Sequence, residues 1–173
     1  MEYGLYIAGT RVTTENCNDI SNFSGVSGRV SFDPDTHTLT LDNAIIRSRE
    51  DYIGINNFVD GGLTIKLIGS NTIYSYENDG IYNHTALTIK GITSDASLFI
   101  KALNKGDFHT SCIYTSTGES VTIKDCSLKL NGAEKGLDGG IWNFINCTVR
   151  VKGGGNGIDD EECGSCFSLD EKP

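Results

Sequence analysis

One short line recurs along this chain of 173 residues. It stands as Leu63-Thr64-Ile65-Lys66, returns as Leu87–Lys90 and Val121–Lys124, and has looser copies at Leu39–Asp42 and Val149–Lys152. Successive starts lie 24, 24, 34 and 28 residues apart. A loose period of that size is the mark of a solenoid, whose repeats bury their apolar faces only against their neighbours.

Each line alternates apolar, polar, apolar and charged side chains, the period of two of a half-buried strand. Upstream of it a second motif recurs: Ile55, Ile81, Ile113, Ile141 and Ile158, preceded by Gly54, Gly80, Cys112, Gly140 and Gly157. A third apolar run follows in most copies, from Asn71, Ser97 and Ser127. Three short strands per repeat, always in the same order, describe an all-β chain wound as a parallel β-helix of about five short coils. A β-sandwich would not repeat itself in order, and the Leu and Asn spacing of leucine-rich repeats is absent.

The opening Tyr3–Ile20, the stretch Gly28–Ile46 and the Gly-Ile and Leu-Thr-Ile-Lys lines together resemble bacterial surface modules of the carbohydrate-binding type, within the pectate-lyase-like superfamily. The resemblance runs to about Gly157 and implies a right-handed β-helix. No catalytic signature takes part in it. Residues 1–42 read as an N-terminal capping segment with a β-hairpin and the first coil, 43–157 as the coils, and 158–173 as an acidic, cysteine-containing tail. Turn sequences at Gly9-Thr10 and Asp33–His37 divide the cap into strands.

The net charge of −9 argues against nucleic acid as a partner, because such proteins carry a basic face. No run approaches the ~20 apolar residues of a membrane helix. No apolar leader follows Met1, so the chain reads as secreted or surface-exposed if a leader has been removed, and as cytoplasmic otherwise. Six cysteines leave the compartment open, and the lone Cys163-x-x-Cys166 is read as a metal or redox pair, a tail disulfide, or two inert thiols.

Stacked coils bring equivalent residues into rows about 4.8 Å apart. With each Ile pointing inward, the next residue points out: Asn56, Tyr82, Tyr114, Trp142 and Asp159. Three consecutive aromatics suit either a sugar-binding platform or a row that reinforces the strands. The following residues, Asn57, Asn83, Thr115, Asn143 and Asp160, read as a hydrogen-bonded ladder at a corner. Lys66, Lys90, Lys124 and Lys152 form a cationic row, offset by acids such as Asp95 and Asp125 or by an anionic polymer such as a uronate.

Asp51, Asp79 and Asp138 stand near the Gly-Ile corners, with Asp159 and Asp160 beyond the last. They are either solvated turn residues or oxygen ligands of the kind Ca²⁺ takes. Enzymes of the resembled superfamily imply a Ca²⁺ site with a basic residue, or an Asp cluster with His and an Arg-x-Lys. His37, His84 and His109 have no matching partners, so the reading leans against an enzyme and names no catalytic residue. Two functions stand: a non-catalytic polysaccharide-binding module of a bacterial secreted or surface protein, using Tyr82, Tyr114, Trp142 and the lysines, or a structural or adhesive spacer.

Overall fold

A computed structural model describes residues 1–49, 51–103 and 110–152. The expected features at His109, Ile158, Asp159, Asp160, Cys163 and Cys166 lie outside the described residues. All regular structure among the described residues is strand, and its main body is parallel.

The chain begins with β1 (Glu2–Ile7), β2 (Thr10–Thr13), β3 (Val26–Asp33) and β4 (Thr38–Arg47). Then come four sets of three: β5 (Ile55–Asn57), β6 (Leu63–Ile68) and β7 (Ser70–Ser75); β8 (Ile81–Asn83), β9 (Leu87–Gly91) and β10 (Ser97–Ala102). The third set is β11 (Ser111–Thr115), β12 (Ser120–Lys124) and β13 (Ser127–Gly132); the fourth is β14 (Lys135–Asp138), β15 (Ile141–Ile145) and β16 (Thr148–Lys152). Like members of each set pair in parallel, so that β5, β8, β11 and β14 form one column, β6, β9, β12 and β15 a second, and β7, β10, β13 and β16 a third. Long β4 pairs with β6 through Thr38–Asp42 and with β7 through Ile45–Arg47, joining the second and third columns into one curled sheet.

Alternation dictates what each column buries. Ile55, Ile81, Ile113 and Leu137 stack in the first; Leu63, Leu87, Val121 and Trp142, with Ile65, Ile89 and Ile123, in the second; Ile73, Ile100 and Leu130 in the third. These belong to one buried apolar cluster, with Val149 and Val151 of β16 only partly covered at its far end. At the near end the pairing becomes antiparallel: β1 lies on β5 and carries β2, while β3 lies on β4. The edge of the first coil is thus paired within the chain, which prevents its free backbone groups from recruiting another strand.

Three expected alignments are corrected by this pairing. Gly140-Ile141-Trp142-Asn143 is not the fourth copy of the Gly-Ile line, because Lys135-Gly136-Leu137-Asp138 already fills that place opposite Ser111–Tyr114. Gly139 and Gly140, at φ +67° and +73°, then turn the chain so that Ile141–Ile145 enters the second column, as Gly61 and Gly62 at +83° and +101° do before Leu63. Val149–Lys152 consequently falls one strand later, opposite Leu128–Asn131 in the third column. Leu39–Asp42 belongs to the second column but shifted by two, with Leu39 opposite Ile65.

Truncating an inward row should cost far more than truncating an outward one. Ile100→Ala removes a fully buried side chain and is expected to cost about 2–5 kcal/mol. Thr122→Ala, on the outer face of the next coil, should stay within about 0.5 kcal/mol. Urea midpoints at matched slopes measure both, and equal losses would contradict this arrangement.

Candidate functional site

The outward row of the first column reads Tyr6, Asn56, Tyr82, Tyr114 and Asp138. Tyr82 and Tyr114 stack with ring centroids 4.6 Å apart and planes at 16°. Trp142, expected as the third aromatic of this row, is instead in the second column, 7% exposed, with its indole Nε1 donating to the Gly139 carbonyl at 2.6 Å. It fills the row of Leu63, Leu87 and Val121, where the inward position asks for bulk.

The aromatic surface extends in a direction the repeat did not announce. His84 lies 4.4 Å from Tyr82, and Phe58, itself 45% exposed, stacks on His84 at 3.9 Å. The Ser116 hydroxyl lies 3.3 Å from His84 Nδ1, and burial lowers the imidazole pKa, so the ring stays neutral near pH 7. Only the position of Phe58 and His84 just past corresponding corners could have hinted at this pairing. The stack has a geometric consequence: Tyr82 and Tyr114 each cover one face of the other, which narrows the ring surface left for a ligand.

Beneath the outer row, Asn57 Nδ2 donates to Asn83 Oδ1 at 2.6 Å and to Thr85 Oγ1 at 2.9 Å, and Asn57 Oδ1 accepts the Val59 N–H at 2.9 Å. Thr115 follows Asn83 in register, whereas Asn143 lies opposite Thr122 in the second column and is no rung of this ladder. These amides hold the corner backbone and are buried, so they serve the fold.

On the second column Lys66, Lys90 and Lys124 stand in strict register, and Thr64, Thr88 and Thr122 make a parallel row beside them. Ile145, not Lys152, continues the lysine row. Lys152 is opposite Asn131 in the third column. Among the described residues none of the three lysines of the row forms a salt bridge. Asp33 lies close enough to Lys66 for its carboxyl pKa to be lowered in part by that charge, after the larger effect of its bond from Thr36. Asp125, an expected counterion, instead accepts from Asn146 Nδ2 at 2.9 Å. Both Asp95 and Asp125 line a groove of about 1020 Å³ at the corner between the second and third columns.

Of the carboxylates near the Gly-Ile corners, Asp51 is exposed, whereas Asp79 and Asp138 are engaged internally. Asp79 is 7% exposed and its Oδ1 accepts the Ser111 N–H at 2.6 Å. Asp138 accepts from the Ser111 hydroxyl at 3.3 Å and pairs with Lys135 Nζ at 3.2 Å. No group of three or more His, Cys, Asp or Glu side chains among the described residues could hold a metal ion. Cys17, Cys112, Cys126 and Cys147 are free thiols; burial pushes Cys112 and Cys126 up to about 12, which keeps them protonated and unreactive. Among the described residues no helix is long and apolar enough to cross a membrane. Comparison with protein-family models, with curated proteins and with solved structures finds no match to this chain.

Burial, outweighing the bond from Ser111, raises the Asp79 carboxyl to about 7, so the folded chain prefers the protonated acid. Its contribution to stability is complete below the ~4 of an unfolded Asp, declines as pH rises, and levels off above about 7. Asp79→Asn keeps an acceptor for Ser111 and should flatten this decline. Thermal midpoints of the two proteins between pH 4 and 8 measure it; parallel curves would show that Asp79 does not titrate as described.

Proposed function

We propose that the chain is a non-catalytic polysaccharide-binding module that receives an acidic polymer along the coil axis, on the outer face of β6, β9 and β12. In this reading the coils close as a right-handed parallel β-helix of the pectate-lyase-like kind, and the module works at a cell surface or in a secreted protein. The observation that carries it is the register of Lys66, Lys90 and Lys124 in three successive coils.

Three ammonium groups on rungs about 4.8 Å apart repel by just under about 1 kcal/mol per adjacent pair in water. A linear chain of carboxylates running past them removes that repulsion and adds charge-assisted hydrogen bonds. The neighbouring Thr hydroxyls both donate and accept, which suits sugar hydroxyls. Lys90 and Lys124 matter most, since Lys66 already has Asp33 nearby. Asp79 and Asp138 are committed to Ser111 and Lys135, so a chelator should leave binding unchanged.

A second reading, a structural or adhesive spacer, is favoured by the Tyr82–Tyr114 stack, whose rings pack on each other and so reinforce neighbouring strands. Affinity electrophoresis in polygalacturonate separates the two. The wild type should be retarded, less so as salt rises, and the double variant K90Q/K124Q should bind about tenfold more weakly, two charge contacts having been removed. A wild type that migrates freely through every acidic polysaccharide tried would leave the spacer.

A further inference from the structure

The third column carries a surface that the sequence repeat conceals. Its outward positions form two rows through the pairing of β4, β7, β10, β13 and β16. One reads Ile45, Thr72, Phe99, Lys129 and Arg150, the other Arg47, Tyr74, Lys101, Asn131 and Lys152. Half of these positions are cationic and none is acidic, in a chain whose net charge is −9. Arg47, Lys129, Arg150 and Lys152 are exposed and Lys101 is half-exposed. None of the five forms a salt bridge with another described residue.

Aromatic rings are interleaved with the charges. The Arg47 guanidinium lies 5.2 Å from the Tyr74 ring centroid and Lys129 Nζ lies 5.3 Å from that of Phe99, while the two rings meet edge to face at 6.3 Å. The rings hold two of the cations by their π-faces, keeping their heads close to the sheet without neutralising them. A third outward row, Ser70, Ser97, Ser127 and Thr148, borders the face with hydroxyls.

We propose that this basic, aromatic-studded face is a second docking surface for an anionic polysaccharide, separate from the lysine row of β6, β9 and β12. Charge complementarity selects the partner's sign, since concentrating five cations on one face of an acidic protein creates a local positive field that an anion relieves. The rows run along the coil axis as a linear track, which suits an extended polymer better than a compact ion. Arg47 and Arg150 present planar forks that pair with carboxylate or sulfate through two hydrogen bonds. The outward hydroxyls and ring edges suit sugar units between the acid groups. The choice of a glycan rests on the function proposed above, whereas the surface itself rests on its own charges. With both faces occupied, one module holds two polymer chains.

The test measures polygalacturonate binding by isothermal titration at low and moderate salt, using the wild type, K90Q/K124Q, K129Q/R150Q and the combination of all four changes. The K129Q/R150Q protein should bind about tenfold more weakly at the affected site, with a shallower salt dependence and fewer polymer units bound per protein at saturation. The quadruple variant should lose binding. An isotherm for K129Q/R150Q identical to the wild type would overturn the proposal. If K90Q/K124Q binds normally while K129Q/R150Q does not, the lysine-row function fails and this surface stands. Preference of the wild type for single-stranded DNA or for phosphatidylserine vesicles over polygalacturonate, lost in K129Q/R150Q, would overturn the glycan assignment. Should K129Q/R150Q melt at a lower temperature than the wild type, K101Q/K152Q reports on the same face from the other row.

Discussion

The parallel, in-register hydrogen bonding of each strand to its equivalent one coil away is the constraint on which everything else rests. It satisfies the backbone polar groups of three strands per coil with those of the next. Because the pairing is direct, a residue's neighbours are its own counterparts. Isoleucine over isoleucine builds the core, and asparagine over asparagine secures a corner. The first coil lacks a preceding coil, so antiparallel β1 pairs with β5 while long β4, itself carrying β3, pairs with β6 and β7.

The same constraint amplifies surface chemistry. A lysine placed once at an outward position becomes a row of lysines when the repeat is copied, and a tyrosine becomes a stack. Among the described residues no salt bridge reaches the lysine row, and Asp33 approaches Lys66 alone; Asp79, Asp125 and Asp138 bond Ser111, Asn146 and Lys135 instead. The protein is therefore acidic in sum and basic on particular faces. Charge of one sign is thus concentrated locally against the sign of the whole, which sets up a local positive field on those faces.

The buried polar groups serve the corners of the fold. Asp79, Asn57 and Asn83 lie buried under the outer row, where their hydrogen bonds hold the backbone of the corners. An Asp raised to about 7 in such a place senses pH through folding. The groove at the corner between the second and third columns is lined by Cys126, whose thiol burial keeps protonated.

Much of this was legible before any coordinates. Alternation in Leu63–Lys66 and its copies requires strands, their order requires parallel stacking, and three rungs each of the lysine and threonine rows follow from the motif alone. What local pattern could not decide was which strand of a coil a given line occupies. Gly140-Ile141-Trp142-Asn143 copies the first-column motif in letters, yet β14 has already filled that column, and Trp142 goes into the core while Lys152 moves to another face. A strand's pattern records only that one side is buried; the column it joins depends on how many strands precede it in the coil, and on the glycine turns between them. The basic face of β7, β10, β13 and β16 is hidden for the same reason, since its cations come from unlike motifs and meet only through stacking.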